Sequence, residues 1–404
     1  LILFNVLIHK FNNTLQQMIT WKETNDYLLG ISNSEKYAVP KTLKIAAFDL
    51  DDTIIRLQRG KKKNDGWEFI DANVQQSIHD LVEKKYMIII FTNQAGMTVS
   101  KNFDINAWKK KIDEIAIALF SASKKYYFAI MAAKCYDIYR KPNIGMWNVI
   151  TKMLRGEISE KSFYCGDAAG RLEKDIYGKK GDFADTDRKF AINIGLSFYT
   201  PEDVFIRNFE TANDKYKLSG INPKKFLKSV CDPDEEYEFK PRKKELILVV
   251  GFPGSGKSEF VKNHIVPNGY EYVNRDTCKT KAKCLKLTRD ALEKNKSVVI
   301  DNTNVDYNSR MAYVALGLEF QYKHIRCILI DIDFDLAKHL NNTRHVYSDG
   351  EIPLVSDIAY NIMKKKFEVP TKGECFDKIE TVKFCFDSEK LEDKKWKKAF
   401  MQLS

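Results

Sequence analysis

The chain is 404 residues long, a length that predicts two or three domains, and 44% of it is hydrophobic, enough for each domain to bury a core. Its formal net charge of +11 favours a polyanionic partner or a merely solubilising surface. Eight cysteines without a C-x-x-C pair speak against a zinc site and for a reducing compartment, and no apolar run is long enough to cross a bilayer.

LILFNVLI (1–8) is apolar but short, with no charged lead-in and no small-residue cleavage site, so it does not read as a signal peptide; Met18 is a candidate start. Residues 1–40 are expected to form a lead segment. Strand and helix then alternate. Strands are expected at 44–49 (KIAAFD), 87–93 (MIIIFTN), 126–133 (YYFAIMAA), 162–167 (SFYCGD) and 191–196 (AINIGL). Helices are expected at 74–86, 105–120 and 143–154, the last just after Pro142. This alternation predicts an α/β domain over 41–204, a mainly parallel sheet with helices on both faces. From 205 to 243 the pattern weakens, and CDPDEEYEFKPRKK (231–244) is the clearest linker. A second α/β domain is expected over 244–404, opening with the strand ELILVVG (245–251) and continuing with strands at 297–304 and 324–333.

Two stretches carry phosphate chemistry. Asp49-Leu50-Asp51-Asp52-Thr53 follows a buried strand, where ligands of such sheets bind. Asp49 and Asp51 point the same way in an extended segment and together invite a divalent cation such as Mg²⁺. Asp49 is placed to attack phosphorus, and Asp51 to carry a proton to the leaving oxygen and then activate water. Thr92 and Asn93 are candidates to hold phosphate oxygens, Lys141 to neutralise transition-state charge, and Asp167 to complete the cation site. Asp182 and Asp187 follow close behind, with a surface role as the alternative for each. These four separated motifs resemble the haloacid-dehalogenase phosphatase superfamily.

Gly251-Phe252-Pro253-Gly254-Ser255-Gly256-Lys257-Ser258 satisfies G-x-x-x-x-G-K-[ST] between a strand and a helix. Its backbone N–H groups would wrap the phosphates of ATP, Lys257 would reach the β/γ-phosphates, and Ser258 would bind Mg²⁺. Asp276 is the candidate acceptor of a proton from an attacking hydroxyl, with Arg275 beside it. Asp301 is a candidate to hold cation-bound water or to assist Asp276. Arg344 is either a lid arginine that stabilises the transferring phosphoryl group or part of a solvated helix face. Lysine runs at 61–63, 179–180 and 364–366 are candidate nucleic-acid contacts or solvated faces.

FDLDDT, FTNQAG, YRKPNIGMW, GDAAGR, GFPGSGKS, VNRDT, IDNTN and FEVPT stand in the order seen in the polynucleotide kinase 3′-phosphatases, eukaryotic enzymes that process DNA ends, and the resemblance covers nearly the whole chain after Trp21. It implies a haloacid-dehalogenase-like Rossmannoid phosphatase followed by a P-loop kinase. It further implies Asp49 as nucleophile, Asp51 as acid/base, and Thr92, Asn93 and Lys141 on the phosphate. Asp49, Asp51 and Asp167 would serve the Mg²⁺ of the first site, with Asp182 the weaker candidate. Residues 251–258 would hold ATP, Asp276 would activate a 5′-hydroxyl and Arg344 would act from the lid. The implied substrate is DNA carrying a 3′-phosphate and a 5′-hydroxyl, and the implied location is the nucleus. RNA ends remain the alternative, since these motifs do not read bases. A small-molecule kinase/phosphatase and a silent scaffold are the other readings. Two departures stand out: Asp52 occupies a position that is usually Gly, and the forty residues before Thr42 are too few for the forkhead-associated domain of many animal members.

Overall fold

The computed structural model describes residues 19–33, 38–58, 66–121, 123, 125–172, 181–210, 216–230 and 237–404. The lysine runs at 61–63 and 179–180, the segment 1–18 and residues 231–236 of the expected linker lie outside the described residues. The chain forms two compact units: the first runs to Ser219 and takes in Leu403–Ser404, and the second spans Gly220–Gln402.

The first unit is built on a seven-stranded sheet. Its strands are β1 (Thr20–Glu23), β2 (Tyr27–Asn33), β3 (Ile45–Phe48), β4 (Met87–Asn93), β5 (Tyr127–Ala133), β6 (Phe163–Cys165) and β7 (Ser197–Tyr199), in the order β1-β2-β5-β4-β3-β6-β7. From β5 to β7 all neighbours are parallel, whereas β1 and β2 form an antiparallel hairpin added beside β5, so the sheet is mixed. The hairpin comes from the segment read as a lead. Its outer strand is largely exposed, and it is pinned by Trp21 packing edge-on against Trp108 at 5.8 Å between ring centres.

β3 explains why a run with no polar alternation makes a strand here. Ala46 and Phe48 enter the core on one face, and Ile45 and Ala47 enter the core on the other. Such double burial is the signature of a central parallel strand. The helices α1 (Val74–Glu83), α2 (Ile105–Phe120), α3 (Gly145–Leu154) and α4 (Thr186–Ile194) cover the two faces. The chain steps outward from β3 to β4 and β5, then crosses back to β6 on the other side of β3. β3 is therefore the topological switch point, where α/β sheets bind ligands.

The stretch AINIGL, expected as a strand, is instead the end of α4 and its turn. Phe190 and Ala191 are buried while Ile192 is 47% exposed, a helical and not an alternating pattern. Gly195 closes the helix in the left-handed region at φ 73°, and the strand starts only at Ser197.

The second unit has a five-stranded, fully parallel sheet in the order β9-β10-β8-β11-β12. These strands are β8 (Glu245–Val250), β9 (Glu271–Asn274), β10 (Val298–Asp301), β11 (His324–Asp331) and β12 (Lys378–Lys383). Between and beyond them lie α5 (Arg275–Cys278), α6 (Lys281–Glu293), α7 (Tyr307–Glu319), α8 (Phe334–Tyr347) and α9 (Asp357–Lys366). β8, buried along its full length between β10 and β11, is again the switch strand.

Arg310 on α7 is fully buried and meets Glu374 through two hydrogen bonds of 2.6 and 2.9 Å, while also donating to the carbonyls of Asn304 and Glu368. Removing one partner strands the other charge in the interior. Arg310→Met is therefore expected to cost about 3–5 kcal/mol, read as a lower urea unfolding midpoint, with much of the loss recovered when Glu374 is also made apolar.

Candidate active sites

The first site stands at the end of β3. The backbone N–H of Asp49 donates to the Cys165 carbonyl at 2.9 Å, so the pairing of β3 with β6 continues into the motif. Lys141 arrives from the loop after β5 and is 3% exposed. Its ammonium donates to Asp49 Oδ1 at 2.5 Å, to Asp187 Oδ1 at 2.7 Å and to the Tyr164 hydroxyl at 2.9 Å. That hydroxyl in turn donates to Asp187 Oδ1 at 2.9 Å. Burial pushes the Asp49 carboxyl well above the usual range; Lys141 works against the shift, and Asp187 and Asp167 add to it. Burial acts to lower the Lys141 ammonium, but Asp187 and Asp49 outweigh it and hold it above its ordinary value.

The other residues of the motifs set this centre in place. Asn93 accepts from the Lys141 N–H at 2.9 Å and donates to its carbonyl at 3.1 Å, so its amide holds the lysine backbone. Thr92 is buried, and its hydroxyl accepts from Gln94 at 2.9 Å. The same Gln94 amide donates to Asp51 Oδ2 at 2.7 Å. Thr53 donates to Asp167 Oδ1 at 3.2 Å and accepts from the Asp167 N–H at 3.1 Å. Asp52 sits at φ 56°, the left-handed conformation where glycine is most at ease. Asp is among the few other residues that adopt it at modest cost, so the backbone accommodates this departure.

Asp182 and Asp187 take different places. Asp182 accepts from the N–H groups of Ala169 and Arg171 and from the Arg171 guanidinium, and so organises the loop that follows β6. Asp187 lies at Lys141 instead. One oxygen each from Asp49, Asp167 and Asp187 fall within 4.8 Å of one another. Three carboxylates against one ammonium leave a negative surplus of hard oxygen donors, which fits Mg²⁺. Asp51 stands outside this trio, its carboxylate held by Gln94. Gln94 stood inside the block FTNQAG and Tyr164 inside the strand SFYCGD, but neither was assigned a role, because their roles depend on partners 43 and 23 residues away.

The second site opens from the end of β8. Gly254 and Gly256 both take left-handed φ, 77° and 81°. A Cβ at Gly254 would come within 2.3 Å of the Ala337 carbonyl oxygen on α8, so the loop can lie against that helix only with glycine there. Lys257 starts the short helix Lys257–Phe260, and its ammonium donates to the Phe252 carbonyl at 2.6 Å. Burial brings this amine down to about 8; Arg344 adds to the shift, while Asp301 and Asp276 oppose it.

A cavity of about 2150 Å³ surrounds this loop and is lined by Ser258, Arg275, Asp276, Asp301 and Arg344 among others. Pro253 to Ser258 line it too, so the candidate groups Lys257, Ser258, Arg275, Asp276, Asp301 and Arg344 border one space, whereas Gly251, Phe252 and Lys364–Lys366 do not line it. Asp276 stands on α5, whose first turn is held by the Asn274 side chain accepting from the Asp276 and Thr277 N–H groups. Arg344 reaches the cavity from α8; it donates to Asn341 at 2.9 Å, while its buried Nε has no partner among the described residues. A buried guanidinium N–H without an acceptor suits an incoming phosphate oxygen. Of the lysine runs, Lys364–Lys366 is exposed at the end of α9.

Comparison with known proteins agrees with this geometry. The family described as Polynucleotide kinase 3 phosphatase matches residues 44–205. Over 419 aligned residues, 99% of each chain, the sequence is 49% identical to a protein of Acanthamoeba polyphaga mimivirus provisionally named a bifunctional polynucleotide phosphatase/kinase. A bifunctional polynucleotide phosphatase/kinase of Schizosaccharomyces pombe is 36% identical over 92% of this chain and 86% of its own length. The Arabidopsis thaliana polynucleotide 3′-phosphatase ZDP is 33% identical over 44% of this chain and 25% of its own.

The lowered Lys257 amine has a consequence for stability. Between about pH 8 and its ordinary value of 10.5 the folded chain binds fewer protons at this group than the unfolded chain, so this contribution to stability rises with pH across that window. The melting temperature of the unliganded protein minus that of Lys257→Met is expected to increase from pH 8 to pH 10. A flat difference would show that the amine is not depressed.

Proposed function

Because the chain belongs to the family of bifunctional polynucleotide phosphatase/kinases, we propose that its first site removes a 3′-phosphate and its second phosphorylates a 5′-hydroxyl at breaks in DNA, as a repair enzyme using Mg²⁺ and ATP. The reading is carried by one observation: two separate groups of side chains, each suited to one half of the exchange, stand on two switch strands of one chain. Ligation requires a 3′-hydroxyl and a 5′-phosphate, and a break with the opposite ends needs both steps.

In the first site Asp49 attacks phosphorus, forming an acyl phosphate as the bond to the 3′-oxygen breaks. Asp51, oriented by Gln94, gives that oxygen its proton. Water then attacks the acyl phosphate, and Asp51 takes its proton back as inorganic phosphate leaves. Lys141, fixed between Asp49 and Asp187, faces the charge that gathers on the phosphoryl oxygens. Mg²⁺ held by Asp49, Asp167 and Asp187 would supply further neutralisation of that charge.

In the second site the loop 251–258 binds ATP, and Lys257 exchanges its contact with the Phe252 carbonyl for the β/γ-phosphates. Asp276 accepts the proton of the 5′-hydroxyl as that oxygen attacks the γ-phosphorus. Arg344 offers its unpartnered Nε to the transferring group. Mg²⁺ at Ser258 would neutralise the phosphate charge.

The test uses the purified full chain with Mg²⁺ and ATP on nicked duplex DNA bearing a 3′-phosphate and a 5′-hydroxyl, both ends followed by gel. Wild type is expected to convert both. Asp49→Asn should lose the phosphatase by about 10³-fold or more and keep the kinase. Lys257→Ala should lose the kinase by at least ~10²-fold and keep the phosphatase. Faster conversion of the same ends on RNA would overturn the assignment to DNA, and a single variant that removes both activities at unchanged melting temperature would overturn the independence of the sites.

A further inference from the structure

The phosphate loop touches α8 at two positions one helical turn apart. A Cβ at Gly254 would meet the Ala337 carbonyl oxygen at 2.3 Å, the Asn341 N at 2.9 Å and the Asn341 Cβ at 3.2 Å. Arg344, three positions beyond Asn341, continues the same face of the helix. Asn341 is 2% exposed and does not line the cavity, whereas Arg344 does. The Asn341 amide is used at both ends: Oδ1 accepts from Arg344 Nη2 at 2.9 Å, and Nδ2 donates at 3.1 Å to the carbonyl of Val355, in the segment between α8 and α9. A guanidinium only donates and a carbonyl only accepts, so these partners admit one orientation of the amide.

The segment between α8 and α9 has a second tie to α8, because His345 Nδ1 donates to the Ile352 carbonyl at 2.7 Å. Asn341 therefore does more than hold that segment down: it fixes where the Arg344 guanidinium sits. A guanidinium carries its donors in a rigid planar fork. With Nη2 tied to Asn341, the buried Nε, which has no partner among the described residues, keeps one direction. Freed of the tie, the side chain would spread over several rotamers, and a displacement of about 1 Å at a reacting centre can cost on the order of 10²-fold in rate. An amide also holds the guanidinium without cancelling its charge, as a carboxylate would, so the charge stays available for phosphoryl oxygens. Nothing in the stretch HLNNTR separates Asn341 from Asn342 beside it.

We propose that Asn341 is a positioning residue of the second site, holding the Arg344 guanidinium by Nη2 so that the rest of the fork faces the phosphoryl group as it leaves ATP. This inference rests on the kinase reading given above, with Arg344 as the group that meets the phosphoryl. Asn341 itself touches neither nucleotide nor acceptor; it acts through Arg344.

The test measures steady-state phosphorylation of a 5′-hydroxyl oligodeoxynucleotide by ATP and Mg²⁺, using the full chain as wild type, Asn341→Ala, Arg344→Ala and the double variant. Asn341→Ala is expected to lower kcat about ten- to thirtyfold, the range for losing a hydrogen bond to a charged group, with KM for ATP changed by less than about twofold. In the Arg344→Ala background the same substitution is expected to have no further effect, because the group it orients is gone. The phosphatase activity should stay at the wild-type rate in all of them. Asn341→Leu, which keeps the branching of the side chain and loses both hydrogen bonds, should give the same fall in kcat and carries the test if Asn341→Ala does not fold. A raised KM for ATP with kcat unchanged would overturn the proposal in favour of a role in docking the phosphate loop on α8. So would a full effect in the Arg344→Ala background, or an unchanged kcat in the wild-type background. An Arg344→Ala chain as fast as wild type would remove the proposal while leaving the kinase reading in place. Wild type that phosphorylates no 5′-hydroxyl would instead bring down the kinase reading, and the proposal with it.

Discussion

A strand covered on both faces can offer chemistry only at its end. β3 and β8 are such strands, with every residue buried, and each delivers its functional motif at the first residues beyond its carboxyl end. The constraint fixes much else. The flanking strands must end at the same level, so Thr92, Asn93 and Asp167 gather around Asp49, and Asp276 and Asp301 gather around the phosphate loop. Their helices must leave from that level too, which brings α5 and α8 to the second site. Side chains from five separate stretches can then act together without any of them being long.

The two sites handle charge in opposite ways. The first is overloaded with carboxylates, and one buried ammonium is divided between Asp49 and Asp187. A buried pair of this kind gains little net stability, since desolvation consumes most of the attraction. What it fixes is geometry: Lys141 is held by its backbone through Asn93 and by its tip through two acids and a tyrosine. The second site is short of anions around its cations. Lys257 is buried with a depressed amine and Arg344 has an N–H unpaired among the described residues, so both are better satisfied when phosphate is present. On the function proposed above, the first site would take a cation together with a phosphate ester, and the second a polyphosphate.

Several positions show where reading along the chain stops being informative. Asp182 and Asp187 lie five residues apart in one polar stretch, and nothing local separates them. The helix α4 does: Asp187 falls in its first turn and meets Lys141, whereas Asp182 lies before the helix and closes a loop with Arg171. AINIGL has the composition of a strand, yet an N-terminal turn upstream and a left-handed Gly195 downstream make it the end of a helix. The hairpin of β1 and β2 was illegible for another reason. Its outer strand is only four residues long, and it is held by pairing with β5 about a hundred residues later. Asp52 shows the converse, an unusual residue whose meaning is local: a left-handed backbone that Asp tolerates.

The sequence by itself determined the class of each domain, the strands read at 44–49, 87–93, 126–133, 245–251 and 324–333 to within two residues at either end, and the candidates for the reacting groups of the proposed chemistry, Asp49, Lys141, Lys257 and Asp276. These follow from periodicity and from motifs in which the spacing along the chain is itself the geometry: a turn after a strand, or a glycine loop before a helix. Only the tertiary structure decided which of several carboxylates joins Asp49, what holds Asp51 through Gln94, and how Tyr272 and Asn274 hold Asp301. Those contacts run between strands and loops remote in sequence. Sheet order and register set them, and neither is encoded in any short stretch of residues.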